Sequence, residues 1–181
     1  MFFFSVEIPI PAALFDSPDL RLSSLSLGGS PLWQLPRGDV ATALRYLSVI
    51  SNTLNPHVRP FLARARRLTF LTLCGPSTQD FDVFTAAASF PELTHLELQE
   101  EHAIDSLLAQ LASAPLLAQL ESLSVAGRVS DSTLQAVLRS AERFRHLKTF
   151  RIDSGASRSR TNAELRRSLV ALLPSLSISL W

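Results

Sequence analysis

Leu44-Arg-Tyr-Leu47-Ser-Val49, Leu68-Thr-Phe-Leu71-Thr-Leu73 and Leu93-Thr-His-Leu96-Glu-Leu98 share one pattern, aliphatic residues at the first, fourth and sixth positions. Working outward, the same pattern appears upstream as Leu22/Leu25/Leu27 and downstream as Leu120/Leu123/Val125 and Leu147/Phe150/Ile152, with a weaker copy at Leu173/Leu176/Ile178. Successive copies start 22, 24, 25, 27, 27 and 26 residues apart. Chance can produce one or two such copies in a leucine-rich chain. A full series in so narrow a window marks an internal repeat, the signature of a stacked architecture.

The pattern has a direct physical reading. Its last two aliphatic positions are separated by one residue, the period of a β-strand, so Leu25 and Leu27 face a core while Ser26 faces away. The first leucine enters the core from the turn before the strand. Parallel strands need a crossover of a dozen or more residues, usually helical. The intervening segments suit that role. Ser130 or Asp131 opens a stretch with Leu134, Val137 and Leu138 on one face. Thr161-Asn-Ala-Glu164 reads as a capping box before residues 165–173. Residues 105–111 and 80–88 are shorter candidates, and Asn55-Pro56 suits a helix start that Pro60 then bends or shortens. Pro91 and Pro115 stand just before a leucine pattern and Pro174 just inside the last one, where a helix must stop.

Composition narrows the function classes. The chain has 181 residues, 46% hydrophobic and 18% charged, a globular balance. Net charge is +1, but its distribution is uneven: residues 1–137 hold 8 Lys/Arg against 13 Asp/Glu, and residues 138–181 hold 9 against 3. The molecule is therefore expected to be acidic early and basic late. A lone cysteine, Cys74, excludes an internal disulfide and favours a reducing compartment. Met1-Phe-Phe-Phe4 lacks the basic residues of a signal peptide, Glu7 interrupts the apolar run, and no stretch reaches the roughly 18–20 apolar residues of a membrane span. The expectation is a cytoplasmic protein that does not enter membranes.

The phrases 115–125 (PLLAQLESLSV), 144–152 (FRHLKTFRI) and 169–178 (LVALLPSLSI) carry a family resemblance. Here the chain resembles the ribonuclease-inhibitor type of leucine-rich-repeat protein, most of all small bacterial cytoplasmic members. The resemblance covers about residues 20–181 and is strongest in the second half. It implies a right-handed α/β horseshoe solenoid of about seven repeats of 22–27 residues, with a parallel concave sheet and convex helices, and a role in protein–protein recognition. It carries over no catalytic residue. One position departs from the family: where it has Asn or Cys three residues past the last pattern leucine, this chain has Ser30, Asn52, Pro76, Glu101, Arg128 and Gly155. Only Asn52 conforms, so irregular turns are expected. The whole chain reads as one domain, with residues 1–19 an irregular N-terminal cap or truncated repeat. Phe4 to Ile10 alternates like an edge strand, and Gly155 to Arg160 is the candidate loop.

In a parallel, in-register stack, equivalent residues form columns on the concave face. One column is Ser24, Tyr46, Phe70, His95, Ser122 and Thr149. The next is Ser26, Ser48, Thr72, Glu97, Ser124, Arg151 and Ser177, and a third is Gly28, Ile50, Cys74, Gln99, Ala126 and Asp153. Tyr46, Phe70 and His95 would then stand on adjacent strands about 4.8 Å apart. Outward aromatics of this kind are typical binding anchors, Ile50 and Cys74 extend the patch, and Glu97 and Arg151 bring opposite charges. The candidate partner-binding residues are Tyr46, Phe70, His95, Glu97 and Arg151. The ordinary alternative is that Tyr46 and Phe70 are covered by an N-terminal extension or singly exposed.

Enzyme chemistry finds little support. Cys74 and His95 fall in different columns with no third group to orient them. Glu100, Glu101 and His102 match no zinc spacing, His57 and His146 stand alone, and there is no glycine-rich phosphate loop. No cofactor is expected. The basic run Arg139, Arg143, Arg145, Lys148, Arg151, Arg158, Arg160, Arg166 and Arg167 lacks interleaved aromatics, which argues against nucleic acid. The leading expectation is a non-enzymatic module that binds a protein partner on its sheet face. The alternatives are a structural or regulatory fragment of a larger repeat protein, or an electrostatic anchor to an acidic partner through the basic C-terminal third.

Overall fold

Each leucine pattern within the described residues becomes a strand preceded by a leucine that packs into or against the core. A computed structural model describes residues 22–28, 40–50, 58–75, 90–100, 104–127, 129–153 and 160–172. The strands are β1 (Ser24–Gly28), β2 (Tyr46–Ile50), β3 (Phe70–Cys74), β4 (His95–Glu100), β5 (Ser122–Gly127) and β6 (Thr149–Asp153). They form a parallel sheet in which every strand pairs with its successor, in the order β1-β2-β3-β4-β5-β6. Register follows the pattern without a slip: Leu47 pairs with Leu71, Leu71 with Leu96, Leu96 with Leu123, and Leu123 with Phe150.

The register is set at the head of each strand, where one backbone carbonyl accepts two amides from the next strand. Ser23 O accepts from Arg45 and Tyr46 at 2.9 and 3.0 Å, Arg45 O from Thr69 and Phe70 at 2.8 and 3.0 Å, and Thr69 O from Thr94 and His95 at 3.1 and 3.0 Å. Thr94 O accepts from Glu121 and Ser122 at 2.8 and 3.0 Å, and Glu121 O from Lys148 and Thr149 at 2.7 and 3.1 Å. A carbonyl has two lone pairs, and here both are used.

The helical segments are α1 (Val40–Ala43), α2 (Val58–Arg64), α3 (Ile104–Ser113), a 3₁₀ turn (Pro115–Gln119), α4 (Asp131–Arg139), α5 (Ala141–Phe144) and α6 (Arg160–Leu172). Their apolar faces join the strand leucines in one cluster of buried residues running from Leu25 to Leu169. Leu44, Leu68, Leu93, Leu120 and Leu147, the first leucines of their patterns, are all buried within it, and Leu22 is packed against it. Phe144 and Phe150 stack at 5.1 Å inside the same core.

Several local expectations change. Pro115 stops α3 but then opens the 3₁₀ turn, because Leu116 and Leu117 are drawn into the core. α6 starts at Arg160, so Thr161 lies in its first turn rather than capping it. On α4, Leu134 and Val137 are buried while Leu138 is only half-buried. Pro60 falls in the first turn of α2, where a missing amide costs little. The expected edge strand at Phe4–Ile10, the helix at 80–88, the Asn55-Pro56 start, the seventh pattern at Leu173, and both His57 and His102 lie outside the described residues. Among the described residues, no helix is long and apolar enough to cross a membrane.

Candidate functional site

Strand alternation puts the leucines in the core and the intervening residues on the opposite sheet face. Parallel register then aligns those residues into columns. Tyr46 pairs with Phe70, Phe70 with His95, His95 with Ser122, and Ser122 with Thr149. Strand spacing brings the flat side chains into contact. The Tyr46 and Phe70 rings stack with centroids 4.8 Å apart and planes 22° from parallel, and Phe70 and His95 stack at 5.7 Å and 18°. Three planar groups thus form one continuous pile across β2, β3 and β4.

The His95 ring is held from below. Thr94 Oγ1 donates to Thr69 O at 3.2 Å. The same hydroxyl lies 2.9 Å from His95 Nδ1. Thr69 repeats the arrangement one strand earlier, donating to Arg45 O at 3.1 Å. These threonines were not singled out in the sequence. Only their regular place just before a strand could have revealed them.

Glu97 lies two residues along β4 from His95 and on the same face, in register with Thr72 on one side and Ser124 on the other. Thr72 Oγ1 donates to Glu97 Oε2 at 3.3 Å. Arg151 pairs in register with Ser124. Glu97 and Arg151 are therefore two strands apart, about 10 Å between backbones. All five predicted residues share one face: Tyr46, Phe70 and His95 are brought into contact, Glu97 flanks them, and exposed Arg151 stands apart across Ser124. The column between is tighter than its position suggests: Ser48 and Thr72 are only 6% and 8% exposed, because small side chains sink between larger neighbours. Ile50, half exposed, continues the apolar patch beside Cys74.

Cys74 donates its S–H to Gln99 Oε1 at 3.2 Å. Burial pushes its thiol pKa up, and the nearby Glu97 carboxylate acts in the same direction. The thiol is thus kept protonated. His146, the other described histidine, hydrogen-bonds Leu117 O through Nε2 and ties the α5–β6 turn to the 3₁₀ segment. Among the described residues no group of three or more His, Cys, Asp or Glu side chains could hold a metal ion.

The basic end is partly neutralised by neighbours. Lys148 Nζ meets Glu121 Oε2 at 2.9 Å, Arg145 pairs with Glu142 at 2.7 Å, and Arg143 donates to Ser113 O at 3.5 Å. The hydrogen bond from Lys148 holds the Glu121 carboxyl below its ordinary value, helped by the Lys148 and His95 charges. At the other end of the aromatic pile Arg45 reaches Glu92 at 2.8 Å, bridging past β3.

No family model matches the chain, and no curated protein matches it. Its backbone is similar to the crystal structure of a Bacteroides fragilis protein, with a TM-score of 0.65, 21% sequence identity and 76% of this chain covered. The match spans 41% of that protein's length. At this identity the similarity concerns the fold.

Proposed function

We propose that the chain is a non-enzymatic binding module of the leucine-rich-repeat, ribonuclease-inhibitor type. In this reading it is a right-handed horseshoe of about seven repeats whose sheet lines the concave side and grips a protein partner. The serial order of the strands and their unbroken register support the repeat reading. The pile of Tyr46, Phe70 and His95 on the face away from the leucine core carries the functional one. A core does not need planar side chains on its far face. A partner does, since aromatic anchors give large contact area with few rotamers to freeze. Glu97 and Arg151 supply polar contacts around the anchors, as a rim does in a recognition surface.

The test is an interaction screen with the purified protein, followed by Tyr46→Ala/Phe70→Ala. Loss of two stacked anchors should weaken capture by at least about tenfold, as expected when hot-spot aromatics are truncated. The far-UV circular dichroism and cooperative unfolding should be retained. Undiminished capture by the folded double variant would remove this face as the binding surface.

A further inference from the structure

The aromatic pile ends abruptly. Beyond Tyr46 the register partner is Ser24, and beyond His95 it is Ser122. The His95 ring lies nearly parallel to Phe70, so one imidazole face is covered by Phe70 and the other looks over Ser122. On the far side of Ser122 stands Thr149, another short side chain. The backbones of β4 and β6 are two strand spacings apart, about 9.6 Å. Small side chains floor this space: Ser122, then Ser124 and Ala126 further along β5, none of them fully buried. These short side chains leave a seat beside the His95 ring, over Ser122.

Charge decides what suits it. Glu97 sits diagonally from Ser122, next to the same wall. Among the described residues its carboxylate has a hydroxyl partner, Thr72, and no cation within ion-pair distance. Glu121 stands at the head of β5, close enough to His95 to interact electrostatically, and is already paired with Lys148.

Resting on the binding-face reading above, we infer that the seat over Ser122 receives an arginine side chain of the partner protein, its guanidinium stacked on His95 and hydrogen-bonded to Glu97. Guanidinium is planar, stacks on rings, and presents paired N–H groups to a carboxylate. A lysine ammonium would satisfy the charge but not continue the pile. A partner's aromatic ring would stack but desolvate the Glu97 carboxylate without bringing it a cation, which is costly. A nucleotide base would bring its phosphates toward Glu97 and Glu121.

Titration of the ¹⁵N-labelled protein with N-acetyl-arginine amide tests this. The amide signals of His95, Glu97 and Ser122 should move saturably at concentrations up to about 50 mM, the range a millimolar site requires. N-acetyl-lysine amide, N-acetyl-tryptophan amide and AMP should each move them much less. Glu97→Gln should weaken the arginine response by about tenfold, the size of one charge-assisted hydrogen bond. Unmoved signals with arginine, or an equal response to tryptophan or AMP, would overturn the assignment. Ser122→Phe, which fills the seat, separates this proposal from the broader one. If a partner lost by Tyr46→Ala/Phe70→Ala still binds folded Ser122→Phe unchanged, the face is the binding surface and the arginine seat is wrong. If Ser122→Phe does not fold, the wild-type titration decides alone.

Discussion

Asp105, in the first turn of α3, shows how one side chain can join two helices. Its Oδ1 accepts the Ser130 amide at 3.1 Å. Ser130 in turn caps α4 by accepting from the Thr133 amide at 3.3 Å and lies 2.7 Å from the Ser132 hydroxyl. Burial alone would raise the Asp105 pKa. Hydrogen bonds from the Ser130 and Thr133 hydroxyls and the Ser130 amide outweigh it and hold the carboxyl below its ordinary value. Asp105→Ala should therefore cost about 1–2 kcal/mol at neutral pH, the range for losing a partner of a capped helix start. Because the folded carboxyl is the stronger acid, its contribution is complete above the unfolded value near pH 3.9 and is lost as pH falls through the lower folded value. Urea denaturation should show the gap between wild type and variant closing on acidification below about pH 4. The stacked rings make a second residue-scale prediction. A double-mutant cycle on Tyr46 and Phe70 should return a coupling of about 0.5–1.5 kcal/mol in unfolding free energy. The ring pile was legible in the sequence, because three planar residues fell at one position of consecutive patterns. The Asp105–Ser130 clamp was not. Its partners are 25 residues apart and meet only once the helices are laid side by side, so no local pattern announces them.

The strands obey the sequence closely because two rules agree: alternation decides the face, and the buried leucine before each strand fixes where alternation begins. Leu71→Ala, inside the core, should destabilise by about 2–5 kcal/mol, whereas Ile50→Ser on the open face should stay within about 0.5 kcal/mol. Chemical denaturation of the two variants measures both, and equal costs would mean the faces have been assigned wrongly. The turns were harder to read. Just after β3, Gly75 takes φ 75°, with its amide donating to Gln99 O. A side chain is penalised there, so Gly75→Ala should cost about 1–2 kcal/mol. The return segments were partly visible. α3 and α4 declared themselves by their apolar faces, but the 3₁₀ turn at Pro115 did not. A proline that ends one helix also suits the start of another helical turn, and only burial of Leu116 and Leu117 decides between them.

At the scale of the whole molecule, the described side-chain links mostly join points one strand interval apart: Thr72 to Glu97 and Cys74 to Gln99 span 25 residues, Lys148 to Glu121 spans 27, and His146 to Leu117 spans 29. Each layer is thus supported chiefly by the layers beside it, as in quasi-one-dimensional proteins. Native-state hydrogen exchange should find the slowest amides in β3 and β4, flanked by strands on both sides, and faster exchange in β1 and β6, the outermost strands among the described residues. Uniform protection across the sheet would contradict this. The doubly accepting carbonyls of Ser23, Arg45, Thr69, Thr94 and Glu121 carry a consequence of their own. They act as a ruler with its zero at the residue just before each of β1 to β5, so length errors cannot accumulate from one layer to the next. Extra residues inserted into a return segment leave that zero in place. One residue inserted between Arg45 and Tyr46 would swing the whole of β2 inside out. Natural and engineered insertions should accordingly survive only downstream of each strand, which makes those segments the ports through which the protein can be lengthened, tagged or split.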